Sequence, residues 1–168
     1  GCDTVLVNKK GRLVFPSHAY RDTRTNRLHR HLGKTGLNQV YEWTGIPNLS
    51  YNTSLQLQEL LISFPDLSNI ADRCLWLPDY FNFLLSGKMG NEISVASTSQ
   101  LLDVRSNSMS NSALFYFRIP PYWFSEPKLS PAKLGEVRGI PELKDVQVIL
   151  VPGHDTSCAF DAMPAAKD

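Results

Sequence analysis

The stretch that decides the fold is Val146-Gln147-Val148-Ile149-Leu150-Val151-Pro152-Gly153-His154-Asp155-Thr156-Ser157. Its first six residues form the most strand-like run of the chain, and they are too apolar for an exposed edge strand. A Pro-Gly pair ends the strand, and a helix is predicted to run from about Asp155 toward Ala162. Ligands of open α/β sheets bind beyond the carboxyl ends of strands. This junction is therefore the best candidate for a functional site.

Asp155 is the residue of this junction with the clearest chemical potential. A carboxylate at a helix start is kept ionised by the helix dipole and by free backbone N–H groups. Such a group can accept a proton from a substrate hydroxyl. The alternative is that Asp155 only caps the helix, which is an ordinary use of Asp. His154 leaves the same choice between a site residue and a structural hydrogen-bonding residue, and the local sequence leaves both choices open.

Outward from the junction, strands and helices alternate, which is typical of an α/β fold. A hairpin is predicted over Thr4–Phe15, and a buried strand over Cys74–Leu77. The helix after that strand, Asp79–Leu85, should turn Phe81, Leu84 and Leu85 inward and end at Gly87. Helices are also predicted over 35–43 and 53–64, and one short helix near Ala113. The rest of the Ser-, Asn- and Pro-rich stretch 106–131 gives no assignable pattern.

The composition limits the class of protein. The chain has 168 residues, of which 42% are apolar, and 17 Lys and Arg against 16 Asp and Glu give a net charge of +1. One domain with a real core is expected, and intrinsic disorder is excluded. Near-neutrality argues against a nucleic-acid binder. No apolar run is long enough to span a membrane and no secretion signal is visible, so we expect a soluble globular protein with no membrane partner. The reduced thiols expected from the cysteines place it in the cytoplasm.

The cysteines and the first residues add two expectations. Cys2, Cys74 and Cys158 are odd in number and widely separated, which favours reduced thiols over a disulfide framework or a zinc site. Gly1 leads almost directly into a strand-like run, as if the chain had been cut inside a fold.

Two further motifs are similar to phosphate-binding or nucleic-acid-binding sequences but have simpler interpretations. Gly33-Lys34-Thr35 imitates the end of a phosphate-binding loop, but the glycine required five positions before Gly33 is replaced by Leu28. Four arginines between Arg21 and Arg30 recur every third residue and could form a basic helix face. A solvated surface is the favoured interpretation of that row, because the whole chain is nearly neutral.

Several short motifs, in this order, resemble the FGGY carbohydrate kinases, and within them the rhamnulokinases. Each is weak alone, but the ordered set spans nearly the whole chain. The matching residues are Gly1-Cys2-Asp3, Tyr20-Arg21-Asp22-Thr23-Arg24-Thr25, Thr44-Gly45-Ile46-Pro47, Asn52-Thr53-Ser54-Leu55-Gln56-Leu57, Leu77-Pro78-Asp79-Tyr80-Phe81, Leu85-Ser86-Gly87, Ser97-Thr98-Ser99-Gln100-Leu101 and His154-Asp155-Thr156.

The resemblance implies an ATP-dependent sugar kinase with two actin-like, ribonuclease-H-like domains around a cleft. Residues 1–168 would be most of the N-terminal, sugar-binding domain, without its phosphate-binding start and without the C-terminal ATP domain. Asp155 would be the catalytic base that takes the proton of the primary hydroxyl of a ketose, most simply L-rhamnulose, giving the 1-phosphate. Gly1, His154, Thr156 and Tyr51 would line the sugar.

The resemblance also implies ATP and Mg²⁺ as reactants of the complete enzyme, with neither expected to bind this fragment alone. The small-molecule sugar is the expected partner, and no oligomeric state is predicted. Two alternatives remain: a family member acting on fuculose, xylulose or glycerol, and a non-enzymatic binding module of the same fold. The module would use the arginine row or exposed aromatic residues.

Overall fold

The computed structural model describes residues 2–164, and of residues 33–35 and 37 it describes the backbone only. In this part of the chain, helices alternate with short strands, as the sequence predicts. The helices are α1 Asn26–His31, α2 Gly33–Thr44, α3 Thr53–Ser63, α4 Leu67–Ile70, α5 Leu77–Ser86, α6 Ile93–Ser97, α7 Asn111–Tyr116 and α8 Asp155–Asp161. The strands are β1 Thr4–Val7, β2 Arg73–Trp76, β3 Leu102–Asp103, β4 Ser108–Met109, β5 Ala132–Glu136 and β6 Gln147–Leu150, and 3-10 turns cover Pro121–Trp123 and Pro141–Leu143.

The strands of the described residues form three antiparallel pairs, β1 with β2, β3 with β4 and β5 with β6. The first pair is central, with Leu6 opposite Cys74 and Thr4 opposite Trp76. Leu6, Cys74 and Trp76 belong to one hydrophobic cluster with the buried leucines Leu55 and Leu57 of α3. The predicted strand over Cys74–Leu77 is thus confirmed, shifted by one residue.

The strand β6 corrects the prediction of a buried strand. Its only strand partner among residues 2–164 is β5. Leu150 is buried, but Ile149 is 44% exposed and Val151, just beyond the strand, is 58% exposed. A strand with apolar residues on both faces stays partly exposed when it pairs with one strand and only one of its faces is packed against other residues.

Helix α5 also differs from its prediction in the face that it buries. Phe81 and Leu84 are more than half exposed. Tyr80 and Phe83 instead pack against the buried Val5, Val7 and Leu75 of β1 and β2. The helix begins at Leu77, directly after β2 and two residues earlier than predicted, and its buried face lies one position earlier than predicted. Its end is as predicted, at a glycine with φ +70°, a value that residues with a Cβ rarely adopt.

Two local expectations are only partly confirmed. The turn after β1 closes as predicted, with the Asn8 N–H donating to the Arg12 carbonyl. The second hairpin arm is reduced to a single bridge between Val7 and Leu13. In the stretch 106–131 the short helix near Ala113 is present as α7, and Trp123 beyond it is fully buried. The aromatic residues there serve mainly to pack the core.

Candidate active site

A cleft of about 670 Å³ lies where four separate segments of the chain meet. They are the segment before β1, the loop that leads into α1, the loop before α3, and the turn between β6 and α8. Its lining residues are Cys2, Tyr20, Arg21, Asp22, Thr23, Asn26, Ser50, Tyr51, His154, Asp155 and Thr156. Four residues predicted from the sequence or the resemblance therefore share one cavity: Tyr51, His154, Asp155 and Thr156. Gly1, the fifth, lies outside the described residues, although the adjacent Cys2 lines the cleft.

A larger groove, of about 1030 Å³, lies between α2 and α7 and contains none of the predicted residues. Apolar side chains such as Trp43, Leu114 and Phe115 dominate its lining, and no carboxylate or imidazole enters it. The smaller cleft is the candidate active site, because it holds the groups that can move protons and bind hydroxyls.

The turn between β6 and α8 places His154 at the helix N-cap. The His154 Nδ1 accepts from the Ser157 backbone N–H at 3.3 Å and lies 2.7 Å from the Ser157 Oγ. The alternative in which Asp155 caps the helix is therefore wrong, since His154 has that role. Asp155 is the first residue of α8, and its side chain is 98% exposed.

The carboxylate of Asp155 is held by the residue that follows it. Its Oδ1 accepts from the Thr156 N–H at 2.7 Å and lies 3.4 Å from the Thr156 Oγ1. The pKa of Asp155 is lowered, and the main cause is the hydrogen bond from the Thr156 amide. His154, whose Nε2 is 3.9 Å from Oδ1, makes a smaller contribution. The group is ionised at neutral pH and can accept a proton. Oδ2 accepts no hydrogen bond from the described residues.

The opposite wall of the cleft is aromatic and cationic. The rings of Tyr20 and Tyr51 meet edge to face with centroids 5.9 Å apart. The Arg21 guanidinium lies 5.3 Å from the centre of the Tyr20 ring, and its Nε donates to the Tyr20 Oη at 2.7 Å. Such a wall offers a ring face together with hydrogen-bond donors, a combination suited to a polyhydroxylated ligand.

The sequence did not place four residues of this wall in the sugar site, namely Tyr20, Arg21, Asp22 and Asn26, and it placed Arg21 only in the arginine row. Three of them belong to the quoted motif Tyr20–Thr25, and that motif was the available signal. Sequence spacing alone could not show that this loop faces a turn more than a hundred residues later.

Arg24 forms ion pairs and a hydrogen bond behind this wall and is not part of a basic face. It pairs with Asp22 and with Glu59 of α3, and it donates to the buried Gln56 at 3.0 Å. Gln56 in turn donates to the Tyr51 carbonyl at 2.7 Å. Because α1 begins only at Asn26, two of the four arginines in the predicted row lie outside the helix. The hypothesis of a continuous basic helix face is therefore wrong.

The structure also bears on the phosphate-loop motif, the cysteines and the possible metal and membrane features. The backbone of Gly33-Lys34-Thr35 lies within helix α2, so this segment forms no phosphate-binding loop. All three cysteines are free, as predicted. Among residues 2–164 no group of three or more His, Cys, Asp or Glu is placed to hold a metal ion. In the same part of the chain, no helix has both the length and the apolarity needed to cross a membrane.

The mixed helix and sheet fold is shared with solved sugar kinases at low sequence identity. The glycerol kinase of Plasmodium falciparum with ADP superimposes with a TM-score of 0.80 at 16% identity, covering 88% of this chain and 31% of that one. A ligand-bound xylulose kinase from Lactobacillus acidophilus gives 0.78 at 17% identity, covering 89% and 32%. These similarities show the fold class, the N-terminal sugar-kinase type expected from the sequence.

The family follows from the sequence comparisons. Residues 1–162 match the N-terminal domain of the FGGY family of carbohydrate kinases, and the chain belongs to that family. It is 36% identical over 170 residues to the rhamnulokinase of Klebsiella pneumoniae subsp. pneumoniae, covering 99% of this chain and 34% of the relative. For the rhamnulokinase of Yersinia pestis (strain Pestoides F) the values are 33% over 165 residues, 98% and 34%. The chain thus spans about a third of the length of these relatives.

Proposed function

We propose that this chain is the sugar-binding part of an ATP-dependent carbohydrate kinase, with a ketose as substrate and L-rhamnulose as the leading candidate. The phosphate-binding segment and the ATP domain implied by the family would not be among these 168 residues. The observation that carries the proposal is the shared cleft. It gathers His154, Asp155, Thr156 and Tyr51 in a chain that is similar along its whole length to rhamnulokinases.

Asp155 is the proposed catalytic base. Its ionised carboxylate would take the proton of the primary hydroxyl while that oxygen attacks the γ-phosphorus of ATP. The new O–P bond forms as the bond from the γ-phosphorus to its bridging oxygen breaks, and ADP leaves. Thr156 holds one carboxylate oxygen, which fixes the direction of the other. A positioned base of this kind contributes typically about 10²–10⁴-fold to the rate.

The other cleft residues would bind and orient the sugar. The Tyr51 and Tyr20 rings give an apolar surface for the C–H faces of the sugar, and His154 and Thr156 give hydrogen bonds beside the reacting hydroxyl. ATP and Mg²⁺ would be reactants of the complete enzyme, and no contact to either is assigned to residues 2–164.

The proposal is tested first by sugar binding. The chain is titrated calorimetrically with L-rhamnulose, L-fuculose, D-xylulose and glycerol. We expect saturable binding of L-rhamnulose that is lost in Tyr51→Ala. Preference for another of these compounds would change the substrate but keep the class. No binding of any of them would favour the non-enzymatic module instead.

Catalysis is tested in a hybrid in which this chain replaces the matching segment of the Klebsiella pneumoniae rhamnulokinase. Asp155→Asn should lower kcat by about 10²–10⁴-fold and leave the KM for the sugar nearly unchanged. The matched control is Asp161→Asn, an exposed Asp at the end of the same helix, which should leave kcat unchanged. An Asp155→Asn hybrid as active as its parent would contradict the assignment of Asp155 as the catalytic base.

A further inference from the structure

A buried carboxylate lies directly behind the turn that carries His154 and Asp155. Glu92 is 1% exposed and stands at the N-cap of α6. Its Oε2 accepts from the Val95 N–H at 3.0 Å, which caps its own helix, and from the Gly153 N–H at 3.2 Å. Its Oε1 accepts from the Ser130 hydroxyl at 2.7 Å. One side chain thus joins α6 to the β6–α8 turn and to the segment before β5.

Ser94 extends this contact to the next residue of the turn. Its hydroxyl donates to the Glu92 Oε2 at 2.5 Å. The Ser94 Oγ itself accepts from two successive backbone N–H groups, those of Gly153 at 3.0 Å and His154 at 3.2 Å. Two consecutive amides of the turn are therefore held by one Glu–Ser pair that lies about sixty residues earlier in the sequence.

Charge and shape both strengthen the contact. Burial opposes ionisation of Glu92, but hydrogen bonds from Ser94, Ser130 and Val95 outweigh it and lower the pKa. Hydrogen bonds to an ionised acceptor are stronger than neutral ones. The approach is also close. A Cβ at Gly153 would lie 2.7 Å from the Val95 Cγ2, so a residue with a side chain would push the turn away from α6.

We propose that Glu92 and Ser94 are positioning residues, which fix the Gly153–His154 backbone and thereby aim Asp155 and Thr156 into the sugar cleft. The inference rests on the proposed function, since it names what holds the proposed base in place. The reason is geometric. Asp155 has an exposed side chain and, within residues 2–164, no hydrogen bond to another element, so its position is set by the backbone immediately before it. A displacement of about 1 Å at a reacting group can cost about 10²-fold in rate.

The backbone part of the inference is tested by amide hydrogen exchange in the 168-residue chain. Ser94→Ala removes the shared acceptor and keeps the Glu92 cap on Val95. We expect exchange at His154 to accelerate at least about tenfold. Exchange at Gly153 should accelerate less, because its N–H keeps the hydrogen bond to Glu92. Ser97→Ala is the matched control, because Ser97 is in the same helix and donates only to the Ser94 carbonyl. Unchanged exchange at both amides in Ser94→Ala, or equal effects of the two variants, would overturn the inference.

The catalytic part is tested in the hybrid kinase by separating kcat from KM. Ser94→Ala should lower kcat about ten- to hundredfold, with the sugar KM within about threefold and the melting temperature equal to that of Ser97→Ala. Glu92→Gln should retain more activity than Glu92→Ala. Its amide can still accept from the turn through oxygen and donate to Ser130 through nitrogen. An unchanged kcat in Ser94→Ala would contradict the positioning role of Ser94.

The two proposals fail in different ways. If Asp155→Asn leaves the hybrid active while exchange at Gly153 and His154 responds to Ser94→Ala, the assigned base is wrong and the backbone contact stands. If Asp155→Asn inactivates the hybrid while Ser94→Ala changes neither exchange nor kcat, the base stands and the positioning residues are refuted.

Discussion

Strands β2 and β6 are similar in sequence but differ in what surrounds them. Each is a four-residue strand with apolar side chains, and each leads into a helix with an Asp in its first turn. In β2, Cys74, Leu75 and Trp76 are at most 1% exposed. In β6, by contrast, Ile149 is almost half exposed.

The two acidic residues that follow the strands differ in the same way. Burial raises the pKa of Asp79, after β2, to about 7. The pKa of Asp155, after β6, is lowered by its hydrogen bond from the Thr156 amide. The same strand–helix pattern thus produces a core element in one place and an open, solvent-exposed edge in the other. The difference comes from the partners that distant segments supply.

The largest expected effect is the loss of a core side chain at the end of β2. Trp76 is fully buried, packs against Phe124 and donates its Nε1 proton to the Thr53 hydroxyl. Trp76→Ala should lower the free energy of unfolding by about 3–5 kcal/mol, measured by urea denaturation. Phe81→Ala, an exposed aromatic on α5, should change it by less than about 1 kcal/mol. Equal losses in the two variants would mean that the buried face of α5 is assigned wrongly.

The next effect is a pH dependence of stability to which the buried Asp79 carboxylate contributes. The folded pKa of Asp79, about 7, lies above its ordinary value of 3.8. Between about pH 4 and 7 the unfolded chain therefore releases a proton that the folded chain keeps. Stability contributed by this group falls as pH rises through that window, by up to about 4 kcal/mol, and is level above it. Asp79→Asn should flatten this slope, as measured by denaturation at pH 5 and 8.

The control for this pH effect is Asp161→Asn, which replaces an exposed Asp and should leave the slope unchanged. A slope that survives in Asp79→Asn would show that another group causes it, and the contrast between the two carboxylates would be lost.

The smallest effect is expected on the open face of β6. Ile149→Ala should cost about 1 kcal/mol or less, whereas Leu150→Ala, at the buried neighbouring position, should cost at least about 2 kcal/mol. Both are read from chemical denaturation of the chain. A cost at Ile149 as large as that at Leu150 would show that this face of the strand is covered in solution.

Much of the local structure could be predicted from the sequence because its causes are local. The end of α5 at Gly87, the end of α3 before Pro65 and the start of α8 after a Pro-Gly turn each depend on a few neighbouring residues. The inward face of α5 and the burial of β6 could not be predicted in this way. Both depend on which segments pack against them.

For the candidate site, the sequence and its family resemblance identified the His154–Thr156 motif and Tyr51. They could not identify Glu92 and Ser94, whose significance lies in hydrogen bonds to the Gly153 and His154 amides. They also did not place Tyr20 and Arg21 in this site, although both line the same cleft.

By itself the sequence determined where strands break, where helices begin and end, and which ionisable groups stand beside the last turn, since these properties arise within one or two turns of chain. Only the tertiary structure decided that β2 is buried and β6 open, that His154 and not Asp155 caps α8, and that α6 holds the turn. The physical reason is that burial and hydrogen-bond partnership are properties of pairs of segments. The free energy that selects a pair depends on contacts between residues far apart in the chain.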